Sequence, residues 1–308
     1  MDRYKDGYDF LEEFCKIKSY SSFHPTEAAI TPRVQFIMDR LNEMEIPYST
    51  DIFPSRKFNM NYGVDSEGKK LPDEKNNYIN VYVPFKSKKE DAKTIVILAH
   101  HDIANENSEN CQDNSASVCN LLHLCKILKN SEFEENITVV FTDAEEIVDF
   151  NGSGSAILSY RIKNGHPDFL NFQYAINLEL TGKGNIVWAD LLNSYGRNKM
   201  QPNSKLGSEI VTNFSDVKPV TTPFSDSAVL RHHGLDSVCI GIITEEDFEQ
   251  LKTQRYCDTW AMCHQEADTI EKISRENMNS FVQDILLPLV KVKTESVISE
   301  THTSPSAE

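Results

Sequence analysis

Apolar residues along this chain change their spacing near residue 94, and the change divides the chain into two stretches. In the first ninety residues the clearest pattern is helical. Val34, Ile37, Met38, Leu41 and Met44 recur every three or four positions behind Thr31-Pro32, a cap and first-turn proline that start a helix. Residues 54–77 are polar, rich in Lys, Asn, Asp and Gly, and read as a surface loop or exposed hairpin. Residues 78–83 (YINVYV) then read as a strand. Residues 94–99 (TIVILA) form a continuous apolar run, the mark of a strand buried on both faces. Val118, Leu121, Leu122, Cys125 and Leu128 predict a helix, 137–141 a strand, 155–162 a short helix, and 174–178 and 238–243 two further strands. A last helix is predicted after Asp268, with Glu271 completing a capping box. Its buried side would be Ile270, Ile273, Phe281, Ile285 and Leu286, and Pro288 would end or kink it.

Alternating strands and helices, with neither repeat nor linker inside 94–290, predict an α/β fold. The expectation is a single domain over residues 1–293, with a central mixed, mostly parallel sheet flanked by helices on both faces. Residues 294–308 read as a disordered tail.

Charge narrows the choice of function. There are 31 Lys and Arg against 47 Asp and Glu, a net −16, so nucleic-acid phosphates would mostly be repelled. No apolar run approaches the length of a membrane span, and Met1 to Asp6 lack the apolar stretch of a secretory signal, so a cytoplasmic protein is expected. The seven cysteines include no CxxC pair. Cys119, Cys125 and Cys239 fall within predicted elements as small hydrophobes, and Cys257 and Cys263 can pair only if the loop between them folds back.

In open α/β sheets, ligands bind beyond the carboxyl ends of the strands. After 94–99 come His100-His101-Asp102 and then Asp113; after 137–141 come Glu145-Glu146; Glu179 ends the strand 174–178. A long loop after 238–243 reaches His264. Each strand delivers a carboxylate or imidazole to one rim. His and carboxylate donors suit zinc or another first-row divalent ion. Two ions carry +4, against −3 from Asp113, Glu146 and Glu179, and a bridging hydroxide neutralises the remainder. This count fits Asp113 bridging two metals, with His100 and His264 as neutral ligands. Neighbouring side chains of a strand point oppositely, so Asp102 shares a face with His100, can accept its other ring N–H, and favours His100 over His101 as ligand. Glu145 is the expected general base, taking a proton from water and returning it to a leaving amine. The aromatic residues before His264 (Phe248, Tyr256, Trp260) either wall a specificity pocket or cover the sheet's edge.

Together these residues resemble metallopeptidase family 28, the co-catalytic zinc aminopeptidases. The motifs appear here as His100-His101-Asp102, Asp113-Asn114-Ser115-Ala116-Ser117, Glu145-Glu146, Glu179, and His264 to Thr269, over roughly residues 94–290. The resemblance implies a zinc-dependent exopeptidase fold, two Zn2+ ions bridged by Asp113, Glu145 as base, a peptide or aminoacyl amide substrate, and structural roles for Gly152, Ser153 and Gly182. Two departures stand out. Glu179 replaces the family's usual Asp, as in related carboxypeptidases and deacylases. Ser225-Asp226-Ser227 stands where Ser-Asp-His is common, and Asp226 reads as a helix cap. The alternatives are a glutaminyl cyclase, which resembles a one-zinc version of the same site, and a metal hydrolase of the deacylase or carboxypeptidase type.

Overall fold

The computed structural model describes residues 4–17, 30–56, 69, 75–193, 206, 210, 216–222, 224–254, 256–290 and 292–293. The predicted tail, 294–308, lies outside the described residues. Two helices open the chain, α1 (Gly7–Phe14) and α2 (Pro32–Glu43). Thr31 caps α2 as expected, its hydroxyl accepting the Val34 N–H at 3.3 Å. There follow β1 (Ser49–Arg56), β2 (Lys75–Phe85), β3 (Thr94–His100), α3 (Ala116–Lys129), β4 (Glu132–Phe133), β5 (Asn136–Thr142), α4 (Gly154–Lys163), β6 (Phe172–Leu178), β7 (Ile186–Asn193), β8 (Lys218–Thr222), the helix Asp226–His232 and β9 (Ser237–Ile243). Short helices Glu245–Leu251 and Asp258–Met262 lead to a C-terminal helical stretch beginning at Arg275, and β10 (Val292–Lys293) pairs with β4.

Eight strands form one mixed sheet in the order β1-β2-β5-β3-β6-β9-β7-β8. The inner neighbours β5, β3, β6 and β9 run parallel, whereas β2 joins β5 and β7 joins β9 antiparallel. Strand period explains the layers. On β3, Ile95, Ile97 and Ala99 enter the core beneath α1, α2 and α3, while Val96 and Leu98 enter the core shared with Leu158 of α4 and Leu230. Every residue of β3 is buried, as a strand covered on both faces requires. From β3 the chain passes through α3 to β5 on one side, then through α4 to β6 on the other. The carboxyl ends of these strands therefore border a point where the winding changes direction.

Three strands of this eight-stranded sheet lacked a sequence signal. β1 is polar and edge-lying, with Pro54 in it; β8 is short; β7 carries a charged residue, Asp190, in its middle. Asp190 is tolerated because Arg231 Nη2 lies 2.6 Å away, with both side chains buried. The C-terminal helix also starts later than predicted. Asp268 is not its cap; Ser274 is, accepting the Asn277 N–H at 3.2 Å, while residues 270–272 form a separate 3-10 turn. All seven cysteines are free thiols, so Cys257 and Cys263 do not pair. Trp260 sits edge-on to Trp188 at 6.2 Å between ring centroids, within a core that includes Cys257 and has Phe248 packed against it, so these two aromatics cover the sheet. Tyr256 is exposed. Among the described residues no helix is long and apolar enough to cross a membrane.

Candidate metal centre

His100 is the last residue of β3 and is buried. Its Nδ1 lies 3.3 Å from Asp102 Oδ1, and its Nε2 lies 3.3 Å from Asp113 Oδ1 and 3.5 Å from Glu179 Oε2. Asp102 also receives the backbone N–H groups of Glu145 (3.3 Å) and Glu146 (3.1 Å), so the carboxylate that stands against the imidazole also holds the adjoining loop. His101 turns the other way. Its Nε2 is 2.9 Å from the Ile79 carbonyl, and burial pushes its pKa down to about 4.

Asp113 stands on the turn Cys111–Ser115 that feeds α3, with a non-helical backbone. The Asp268 carboxylate accepts the N–H groups of Gln112 (2.8 Å) and Asp113 (3.1 Å), and Asn114 Nδ2 donates to the Leu178 carbonyl at 2.8 Å. These bonds aim the two oxygens of Asp113 at different imidazoles. Oδ1 faces His100, and Oδ2 lies 3.1 Å from His264 Nε2.

Glu145 and Glu146 follow β5 through a turn in which Ala144 takes a left-handed φ of 62°. Glu146 Oε2 is 3.0 Å from His264 Nε2, and its other oxygen is buried without a hydrogen-bond partner. Glu179 follows β6; Asn177 Nδ2 donates to its Oε1 at 3.2 Å, leaving Oε2 toward His100. The neighbouring β9 passes so close that a Cβ on Gly241 would lie 1.9 Å from the Glu179 carbonyl oxygen, which explains the glycine there. His264 arrives on the loop after Asp258–Met262, its carbonyl held by Asn105 Nδ2 at 3.0 Å; at 42% its side chain is the most exposed of the set.

All seven side chains singled out from the sequence (His100, Asp102, Asp113, Glu145, Glu146, Glu179 and His264) thus meet at one rim. Two further residues belong with them. Asp268 read as a cap because Glu271 follows at capping-box spacing, but its partners are more than 150 residues away. Asp226 also proves not to be a cap. Ser225 holds the cap position, and the buried Asp226 carboxylate accepts the Thr142 hydroxyl at 2.5 Å beside the end of β5. Asn177 carried no signal beyond standing two residues before Glu179.

The electrostatics call for cations. Burial pushes Glu145 well above the usual carboxyl range, with the charges of Glu146, Glu179 and Asp226 adding and His100 opposing. Burial likewise lifts Glu179 to about 7 against the pull of His100. His264 is pushed up to about 12, first by the Glu146 charge and then by Asp113, against its burial. Burial opposes charge on His100, yet Glu179, Asp102 and Asp113 together raise its pKa well above the ordinary value.

The donor set fits metal ions. The donors form two overlapping triads, His100–Asp113–Glu179 and Asp113–Glu146–His264, and within each the ligand atoms all lie within 4.8 Å of one another. Ligands held tetrahedrally at roughly 2.0–2.2 Å from zinc stand about 3.4 Å apart. The imidazole–carboxylate separations here are 3.0–3.5 Å. The unpartnered Glu146 oxygen is a further sign of an electrophile's place.

The model of peptidase family M28 matches residues 80–289. Among solved structures, the chain is similar to BSAP, a zinc aminopeptidase from Bacillus subtilis (TM-score 0.65, 12% identity, 96% of this chain and 97% of that one). It also resembles a leucine aminopeptidase precursor from Bacteroides thetaiotaomicron (0.58, 15%, 92% and 95%). A glutaminyl cyclase from Porphyromonas gingivalis is comparably similar (0.60, 13%, 94% and 99%). No curated protein sequence matches the chain.

Proposed function

Because the chain belongs to peptidase family M28, we propose that its rim of imidazoles and carboxylates is the active site of a two-metal aminopeptidase that releases N-terminal residues from peptides. The observation that carries this reading is the division of Asp113, one oxygen toward His100 and the other toward His264. His100 and Glu179 would hold one zinc ion, His264 and Glu146 the other, and Asp113 both. When bound, the ions supply Lewis acidity, polarising the scissile carbonyl and acidifying water.

The chain's own residues do the rest. Glu145 is buried beside His100 and Glu146, in a setting that raises its affinity for a proton. It takes the proton from the attacking water as the C–O bond forms, and gives it to the amine as the C–N bond breaks. Asp102 holds both His100 and the backbone of the Glu pair, so base and ligands keep a fixed spacing. Asn177 leaves Glu179 one free oxygen for metal, which lets the longer side chain serve where the family usually has Asp.

The likeness to a glutaminyl cyclase supports a second reading, with one ion and an intramolecular attack by an N-terminal Gln amine. Aminoacyl anilides, dipeptides, N-acyl amino acids and Gln-peptides should be assayed with chelator and zinc add-back, alongside elemental analysis. Turnover of free-amine substrates that chelator abolishes and zinc restores, with two ions per chain, is expected. Cleavage only of N-blocked substrates would reject the aminopeptidase. Cyclisation alone, with one ion, would establish the second reading.

A further inference from the structure

A second cluster includes the first residue of the turn that carries Asp113. Cys15, at the carboxyl end of α1, and Cys111, at the start of that turn, are both buried. Their sulfur atoms and a Glu109 carboxylate oxygen all lie within 4.8 Å of one another. Beside them runs Arg33, 1% exposed, whose hydrogen bonds go to the His101 and Ile17 carbonyls and the Ser115 hydroxyl. None of these acceptors is charged, and among the described residues Arg33 has no carboxylate in ion-pair contact. The guanidinium is buried, and the acidic groups near enough to oppose its desolvation are the Cys119, Cys111 and Cys15 thiols and the Asp102 carboxylate. The Cys111 thiol donates to Glu109 Oε2 at 3.7 Å, and the neighbouring Cys111 and Arg33 hold the Cys15 thiol below its usual range despite burial and the Glu109 charge.

We propose that Cys15 and Cys111 are an oxidisable pair whose disulfide acts on the metal centre through Asp113. The inference rests on the assignment of Asp113 as a metal ligand. The oxidant is a peroxide. The Cys15 thiolate attacks a peroxide oxygen, forming a sulfenic acid and releasing hydroxide. The Cys111 sulfur then displaces the sulfenic hydroxyl, which leaves as water with the Cys111 proton; two electrons pass from the thiols to hydrogen peroxide. The sulfur atoms must close to about 2.05 Å. α1 resists moving, because Arg275 grips Asp6 and Asp9 at 2.8 Å and Arg33 lies 4.0 Å over the Phe14 ring. The pull therefore falls on Cys111, two residues from Asp113 and on the peptide held by Asp268.

The test uses the full zinc-loaded chain treated with hydrogen peroxide, then with a phosphine reductant. Peptide mapping is expected to join the Cys15 and Cys111 peptides with a loss of two hydrogens. Zinc affinity and turnover should fall about tenfold or more, as when an outer-shell support of a metal ligand is lost, and should return on reduction. Cys15→Ser should keep its starting activity and resist peroxide; Cys15→Ala serves if the serine variant folds poorly. Absence of the cross-link, a cross-link that leaves zinc affinity intact, or equal sensitivity in the Cys15 variants would overturn the proposal. So would a third zinc equivalent that Cys15→Ser loses, which would assign the cluster to a metal. Because cross-link and zinc content are read without substrate, a failed peptidase assignment would show separately, as no turnover before oxidation.

Discussion

Asp268 reaches back across the loop it shares with His264 and grips the peptide of Asp113, accepting N–H groups at 2.8 and 3.1 Å. The segment that supplies His264 therefore also sets the angle of the Asp113 carboxylate, the proposed bridge between metals. An asparagine here would keep one acceptor and turn an N–H2 toward a backbone N–H. Asp268→Asn should weaken zinc binding roughly 10- to 100-fold with the fold intact. Competition against a chromophoric chelator measures this, and unchanged affinity would remove Asp268 from the site.

Glu145→Gln separates metal binding from proton transfer. The amide is isosteric but cannot accept the water proton. The variant should bind its metals with unchanged stoichiometry while kcat drops about 10²- to 10⁴-fold, with little change in KM. Near-normal turnover would exclude Glu145 as the base.

The Arg231–Asp190 pair offers a stability test away from the catalytic groups. Asp190 also receives the Cys239 N–H at 2.6 Å and the Ser227 hydroxyl at 3.1 Å, so β7, β9 and the helix Asp226–His232 meet at this carboxylate. Removing the guanidinium strands a buried charge, and Arg231→Met should cost about 3–5 kcal/mol in urea unfolding. The double variant Arg231→Met, Asp190→Leu should recover most of it. A single-variant loss within about 1 kcal/mol would mean the charge is solvated or protonated at little expense.

His123 makes the fold sensitive to acid. It is buried on α3 with Nδ1 lacking a partner, and burial lowers its pKa, aided by Lys126 and opposed by Asp6 and Asp9. Above pH ~6.5 the imidazole is neutral in both folded and unfolded chains and costs nothing. As pH falls below that value, the unfolded chain takes up a proton the folded one excludes, so stability declines until the folded pKa is reached. His123→Gln should flatten the stability profile between pH 7 and 5 relative to the parent. Parallel profiles would show that His123 does not contribute.

How far the site could be read from the chain depended on the range of the interactions involved. The inward face of His100 was legible because alternation along a strand is local, whereas β3 ends at His100 and the placement of Asp102 depends on the loop beyond it. Asp268 was misread for the same reason: the local pattern favours a cap, and nothing local reveals that Gln112 and Asp113 lie opposite. β7 escaped notice because a charged residue in an apolar strand argues against burial until its partner, 41 positions on, is known.

The amino-acid sequence alone determined the alternating α/β architecture, the strands buried on both faces, and the donors standing at the strand ends, since these derive from periodicity and residue chemistry. Tertiary structure decided which acids grip backbone N–H groups, how Asp113 divides its oxygens, and that two cysteines 96 positions apart lie together. Those outcomes depend on how loops distant in the chain pack against one another, and side-chain spacing carries no record of that.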